Sequence, residues 1–104
     1  MNAKQERAFA KKFCDMLDCA DCDMTPRDKR RMKLSMMLNR FVRKSVIDQF
    51  DEVYAKQPVG LLSSVGLSSV TFTGIDWENF DWEAAKDFWV EILKVVMEIV
   101  IMFI

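Results

Sequence analysis

Apolar residues recur at the spacing of helical faces through the first half of the chain. Asn2 followed by Gln5 resembles a capping box, in which a side chain caps the first turn of a helix. The apolar positions that follow are three or four residues apart, or adjacent on the same face: Phe9, Phe13, Met16, Leu17 and Ala20. The pattern therefore predicts a first helix that begins near Asn2 and ends near Cys22–Met24.

A second helix is predicted to begin at Thr25-Pro26-Arg27-Asp28. Thr is a favoured N-cap, Pro is favoured at the first helical position, and an acid in the first turn suits the helix dipole. About 30 residues at 1.5 Å each would make a rod of about 45 Å, which ends before Pro58 because proline disfavours helix at the preceding residue. Its apolar positions keep helical spacing: Leu34, Leu38, Phe41, Val42, Val46, Phe50 and Val53. Residues 1–57 are thus predicted to form a helical hairpin with a long second helix.

The segment of residues 58–76 has the composition of a connection. All three glycines of the chain lie here, among serines and β-branched residues. Such a mixture predicts an irregular linker, with a candidate short strand at Ser69–Thr73. The linker would let a third helix turn back towards the hairpin.

Residues 77–104 are predicted to form a hydrophobic C-terminal helix, so that the fold is all-α. The polar residues of this helix are three or four positions apart and form one narrow stripe: Glu83, Asp87, Glu91, Lys94 and Glu98. A helix that is apolar over the remaining arc needs partners on several sides. We expect its contacts with an oligomer or a partner at these residues: Phe88, Trp89, Ile92, Val95, Val96, Ile99, Val100 and Phe103.

The net charge of -1 conceals an asymmetry between the two halves of the chain. Residues 1–57 contain 13 Lys/Arg and 9 Asp/Glu, whereas residues 58–104 contain 2 and 7. Halves of opposite sign can attract one another within a chain or head-to-tail between copies. The densest basic run could contact an anion, either a nucleic-acid phosphate or an anionic lipid, through Arg27, Lys29, Arg30, Arg31 and Lys33. A solvated or protein-contacting run is the favoured interpretation.

Few residues suited to catalysis or to metal binding are present. The chain has no histidine, which excludes His-based acid–base and nucleophilic chemistry in it, and three glycines cannot build a phosphate-binding loop. Cys14, Cys19 and Cys22 match the first three ligand spacings of plant-type [2Fe–2S] sites, but no fourth cysteine exists. We therefore predict no catalytic residue, no cofactor and no metal site.

The wide apolar arc of the C-terminal helix favours a non-enzymatic structural subunit. It would form a homo-oligomer or a larger protein assembly through that helix, for example as a small virion component of a phage or as part of another large particle. Two alternatives stay open: a membrane-associated protein whose C-terminal helix inserts in lipid, and a nucleic-acid-binding protein that uses residues 27–33. No signal peptide is visible, because the sequence opens with polar and charged residues, and three closely spaced cysteines suit a reducing compartment. We therefore expect a cytoplasmic or particle location, with membrane association as the alternative.

Overall fold

Helices make up the architecture of the computed structural model, which describes residues 1–19, 24–67 and 69–103, with the backbone alone at Phe103. The described residues contain five α-helices: α1 (Ala3–Cys19), α2 (Pro26–Leu38), α3 (Arg40–Ala55), α4 (Val59–Ser64) and α5 (Lys86–Val100). Short 3₁₀ helices occupy Phe72–Gly74, Trp82–Ala85 and Ile101–Phe103. These described ranges hold no strand, and the all-α prediction is confirmed.

The two helix start signals form as the sequence predicts. Asn2 Oδ1 accepts a hydrogen bond from the backbone N–H of Gln5 at 2.8 Å, and Thr25 Oγ1 accepts one from Asp28 N–H at 3.1 Å. Each bond satisfies a backbone donor that the first turn of a helix leaves unpaired. The predicted end of the first helix lies partly outside the described residues, which resume at Met24.

The predicted long second helix is divided in two at Asn39. Asn39 is extended (φ −110°, ψ 103°), and its Oδ1 accepts hydrogen bonds from the N–H groups of Phe41 and Val42. The Arg43 side chain donates from Nε and Nη2 to the backbone oxygens of Met36 and Met37 at the end of α2. Side chains therefore cap both the C-terminus of α2 and the N-terminus of α3, so the chain forms two helices here and not one continuous rod.

The linker contains helical turns where a short strand was a candidate. α4 begins directly after Pro58, and Thr71 Oγ1 accepts a hydrogen bond from Gly74 N–H at 3.2 Å within a 3₁₀ turn. Among the described residues of Ser69–Thr73, the chain turns and Phe72 enters the core with 0% exposure. The proposed strand is wrong here because this local cap and the burial of Phe72 favour a turn.

α5 begins at Lys86, later than the predicted start at residue 77. Upstream, the backbone N–H of Trp77 donates to Gln5 Oε1 at 2.7 Å, which ties this segment to the first turn of α1. The Asp76 carboxylate accepts hydrogen bonds from Asn79 Nδ2 and Gln5 Nε2. These bonds lower the pKa of Asp76, and the bond from Asn79 has the larger effect. Anchored in this way, residues 75–81 do not enter the helix.

Aromatic rings from distant parts of the chain meet in one core. Phe9 of α1 packs edge-on against Phe50 of α3 and Trp77, with ring centroids 5.2 Å and 5.0 Å apart. Trp77 in turn packs against Trp89 of α5 at 5.4 Å, and Tyr54 stacks on Trp89 at 6.0 Å. Such ring pairs contribute beyond the area that they bury. The core therefore joins α1, α3, α5 and the linker into one unit.

Candidate functional site

The structure buries most of the predicted contact residues of α5 within the chain itself. Five of the eight are at most 8% exposed and pack in the core: Phe88, Trp89, Ile92, Val96 and Val100. Their assignment to an intermolecular surface is wrong, because α3 and α1 of the same chain cover this face of α5. Val95 and Ile99 remain accessible, at 47% and 39% exposure, while the side chain of Phe103 lies outside the described set.

An apolar groove lies beside the accessible edge of α5, between α3, α4 and α5. Its volume is about 460 Å³. We refer to it as the α4–α5 groove, and its lining residues are Val53, Gln57, Leu61, Val65, Asp87, Phe88, Glu91, Ile92 and Val95. No residue of α4 is buried, and Val59 and Leu61 are 72% and 43% exposed. The chain therefore leaves an apolar concave surface open next to an apolar surface helix.

Acidic side chains border this groove. Asp87 and Glu91 are both exposed, and Glu91 forms an ion pair with Lys94 at 3.7 Å, one turn further along α5. Asp87 forms no ion pair with any other described residue. The groove thus combines an apolar floor with a negative edge, which suits an occupant that is apolar and positively charged.

The predicted basic run lies on α2, where its members differ in environment. Arg27, Arg30 and Arg31 are exposed, whereas Lys29 and Lys33 are half-buried. Lys33 forms an ion pair with Asp18 of α1, so this lysine serves the contact between the two helices. The run therefore offers three outward arginines and one lysine that contributes to packing.

An exposed apolar surface, which the sequence pattern does not predict, lies where α2 meets α3. Leu34, Leu38 and Phe41 were expected on the packed face of one long helix, but they are 55%, 81% and 80% exposed. The break at Asn39 ends the regular helical phase, and within α2 only Met32 and Met36 are buried. We call this surface the α2–α3 corner. It consists of Leu34, Met37, Leu38 and Phe41 and of the exposed cations that flank them in sequence, Arg30, Arg31, Arg40 and Lys44. The i, i+4, i+7 spacing was visible, but the break that turns these residues outward was not.

A second groove, of about 660 Å³, follows the basic side of α1. Four bases, Lys4, Arg7, Lys11 and Lys12, line it together with two acids, Asp15 and Glu78. Lys4 already pairs with Glu78 at 3.5 Å. The four bases outnumber the two acids, so the groove is mildly basic, but the acids among them weaken its attraction for an anion.

The cysteines do not form a ligand set in the described part of the chain. Cys14 is half-buried and Cys19 is exposed, while Cys22 lies outside the described residues. Burial raises the pKa of the Cys14 thiol, with nearby Lys33 acting in the opposite direction. A raised pKa makes this thiol a weaker nucleophile and a weaker metal ligand at neutral pH. Among the described residues, no group of three His, Cys, Asp or Glu could hold a metal ion.

One buried carboxylate lies away from these surfaces. Glu6 is 5% exposed, and its Oε1 has no hydrogen-bond partner among the described residues. It lines a cavity of about 250 Å³ with Lys44, Asp48 and Thr73. Its place in the first turn of α1, where the helix dipole favours an acid, gives it a structural explanation.

None of the described helices combines the length and the apolar character needed to cross a bilayer. No family model matches the chain, and comparisons with curated proteins and with solved structures found no match. What the fold and the surfaces define is an all-α protein with two accessible apolar surfaces of different charge.

Proposed function

We propose that the protein is a non-enzymatic structural subunit that assembles with copies of itself, as a homo-oligomer or within a larger particle. The α4–α5 groove carries this proposal. An apolar groove of about 460 Å³ beside an unburied helix is a surface that association would remove from water. Assembly would use the accessible edge of α5, Val95 and Ile99, with Leu61 of α4.

The distribution of charge supports self-association. The first 57 residues carry an excess of cations and the remainder an excess of acids. Surfaces of opposite sign on one chain attract when two copies meet, and this complementarity raises the association rate and fixes orientation. Because the chain is close to neutral overall, net repulsion between copies is small.

The non-enzymatic part of the proposal rests on chemistry. The chain contains no histidine, and the grooves described above present apolar residues and exposed acids and bases rather than a nucleophile next to a base. We do not extend the proposal to insertion of α5 in lipid, because the apolar face of α5 already packs in the core.

A matched pair of Val→Glu variants tests the proposal. Val95→Glu places a charge in the groove, and Val70→Glu places the same charge at a similarly exposed site outside it, since the two valines are 47% and 40% exposed. Sedimentation velocity over a range of concentrations should show oligomers for the wild type and for Val70→Glu. Val95→Glu should associate at least about 30-fold more weakly, because a charge in an apolar interface costs about 2 kcal/mol or more.

Circular dichroism should show that both variants remain folded, since neither valine is buried and glutamate is a good helix former at the α5 position Val95. A wild type that stays monomeric at every concentration would contradict self-assembly. Equal association of the two variants would remove the groove from the interface.

A further inference from the structure

We propose that the occupant of the α4–α5 groove is the α2–α3 corner of a neighbouring copy, so that the subunits join head-to-tail. This inference rests on the proposed self-assembly and names the partner surface. It follows from the shape, the charge and the position of the two surfaces on one molecule.

The corner is the most exposed apolar projection of the described chain apart from its C-terminal end. Leu38 and Phe41 are 81% and 80% exposed, and they flank Asn39, where the chain bends between two helices. At this exposure, both side chains project into solvent. A large aliphatic and an aromatic side chain side by side are the kind of anchors that fill a pocket at the centre of a protein interface.

The charges of the corner and of the groove are complementary. Residues 27–44 contain eight Lys/Arg and one acid, Asp28. Within the described residues, several exposed cations of this segment form no ion pair: Arg30, Arg31, Arg40 and Lys44. The groove offers the opposite sign at Asp87 and Glu91. Docking therefore brings an apolar projection with a basic rim onto an apolar floor with an acidic rim.

The corner and the groove of one chain lie too far apart to contact each other. Phe41 lies in the first turn of α3, and Val53 of the groove lies near its last turn. These two residues are separated by about 18 Å along the helix axis, from a rise of 1.5 Å per residue. The helix between them holds the two surfaces apart, so the groove that a corner fills belongs to another copy.

A contact between two different surfaces is heterologous. Each added subunit brings one corner and one groove, so every open assembly ends with one of each unfilled. Growth stops only when the rotation between subunits closes a ring; otherwise a filament forms. The structure thus points to a ring or a filament, and not to a two-fold dimer in which like surfaces pair.

A second copy fits the corner better than lipid or nucleic acid does. The residues outside 27–44 carry a net charge of -8, since the whole chain is -1, and an anionic membrane or polynucleotide would repel them. A phosphate backbone would also leave Leu38 and Phe41 in water. An anionic bilayer could take up these two side chains, so the argument against lipid rests on the net charge of -8 outside the corner. An apolar protein groove with a local acidic rim matches the apolar and the basic character of the corner without that repulsion.

Two variants that each lack one surface provide the test. The corner variant carries Leu38→Glu with Phe41→Glu, and the groove variant carries Leu61→Glu with Val95→Glu; all four positions are exposed. Each variant alone should be monomeric by sedimentation velocity. Mixed in equal amounts, they should form a 1:1 heterodimer and nothing larger, because one intact corner meets one intact groove. The matched control is Val70→Glu, an exposed apolar position outside both surfaces, which should assemble as the wild type does.

The heterodimer should bind at least about 30-fold more tightly than either variant binds itself, the loss expected when a buried anchor is removed. Rising salt should weaken the wild-type assembly, because the rims attract through exposed charges. If the glutamate corner variant does not unfold cooperatively, Leu38→Ser with Phe41→Ser serves in its place.

Three results would overturn the inference. The mixture could remain monomeric, the corner variant could assemble as the wild type does, or the corner variant could assemble normally while losing binding to phosphatidylserine vesicles or to DNA. The last result would assign the corner to lipid or to nucleic acid. The second and third results would reject the corner as the contact surface but leave self-assembly in place. A wild type that is monomeric at every concentration would reject the proposed function as well.

Discussion

At the scale of single residues, Tyr54 connects the linker to the core. Its hydroxyl lies 3.0 Å from the backbone oxygen of Leu67 and 2.9 Å from that of Val70, and donates its hydrogen to this pair. Burial raises the pKa of Tyr54 because a phenolate would lose its hydration there. Tyr54 therefore holds the linker only in its neutral form.

Tyr54→Phe tests this role through its pH dependence. At neutral pH the variant should lose about 1 kcal/mol of unfolding free energy, the usual net value of one hydrogen bond. Since the pKa in the folded state is raised, this contribution is complete below the unfolded pKa of about 10 and is lost as pH rises through the folded pKa. Urea unfolding at increasing pH should show the two proteins converge above pH of about 10. Tyr54 is the only tyrosine, so tyrosinate absorbance reports its pKa directly. A constant difference at all pH values would contradict the assignment.

At the scale of elements, Asn39 gives the α2–α3 corner its shape. It ends α2 in an extended conformation, and its side chain begins α3 by accepting from Phe41 and Val42 N–H groups at 3.0 Å and 3.2 Å. Arg43 donates to the last carbonyls of α2 from the other side of the break. Without these bonds, a helical sequence on both sides favours one continuous helix, which would move Leu38 and Phe41 relative to each other.

Asn39→Ala should lower the unfolding free energy by about 1 kcal/mol, because alanine cannot cap α3. Asn39→Ser is the matched control, since serine caps about as well as asparagine and should stay within a few tenths of a kcal/mol of the wild type. Urea unfolding measures both. We also expect Asn39→Ala to associate more weakly in sedimentation experiments, because the corner changes shape. Similar stability of the alanine and serine variants would show that the cap does not maintain the break.

At the scale of the whole molecule, α5 completes the core. Its buried residues contact α3 and α1 of the same chain, and Trp89 packs against Tyr54, Phe72 and Trp77. The helix that the sequence marks as the most hydrophobic is therefore chiefly an internal element. Only one edge of it, at Val95 and Ile99, is left for contact with another molecule.

Truncation after Asp87 should abolish cooperative unfolding of the whole protein. It removes seven buried side chains of α5, and burial of each is worth about 1.5–3 kcal/mol, so the loss rivals the usual 5–15 kcal/mol stability of a domain. Thermal melts followed by near-ultraviolet circular dichroism should show no transition. Full-length Ile99→Glu, altered only at the accessible edge, should keep its transition. A cooperative melt of the truncated chain would mean that the first four helices fold alone.

Features that depend only on neighbouring residues follow from the sequence alone. The N-caps at Asn2 and Thr25, the end of α3 before Pro58 and the polar stripe of α5 follow from hydrogen bonds and spacing within a few positions. The tertiary structure decided which apolar faces are covered and by what. Periodicity shows that a face is apolar, but its burial depends on segments far away in the chain, as when Tyr54 of α3 stacks on Trp89 of α5. The basic run of residues 27–33 can be read from the sequence directly. The exposure of Leu38 and Phe41 near it depends on the break between α2 and α3, which spacing alone does not reveal.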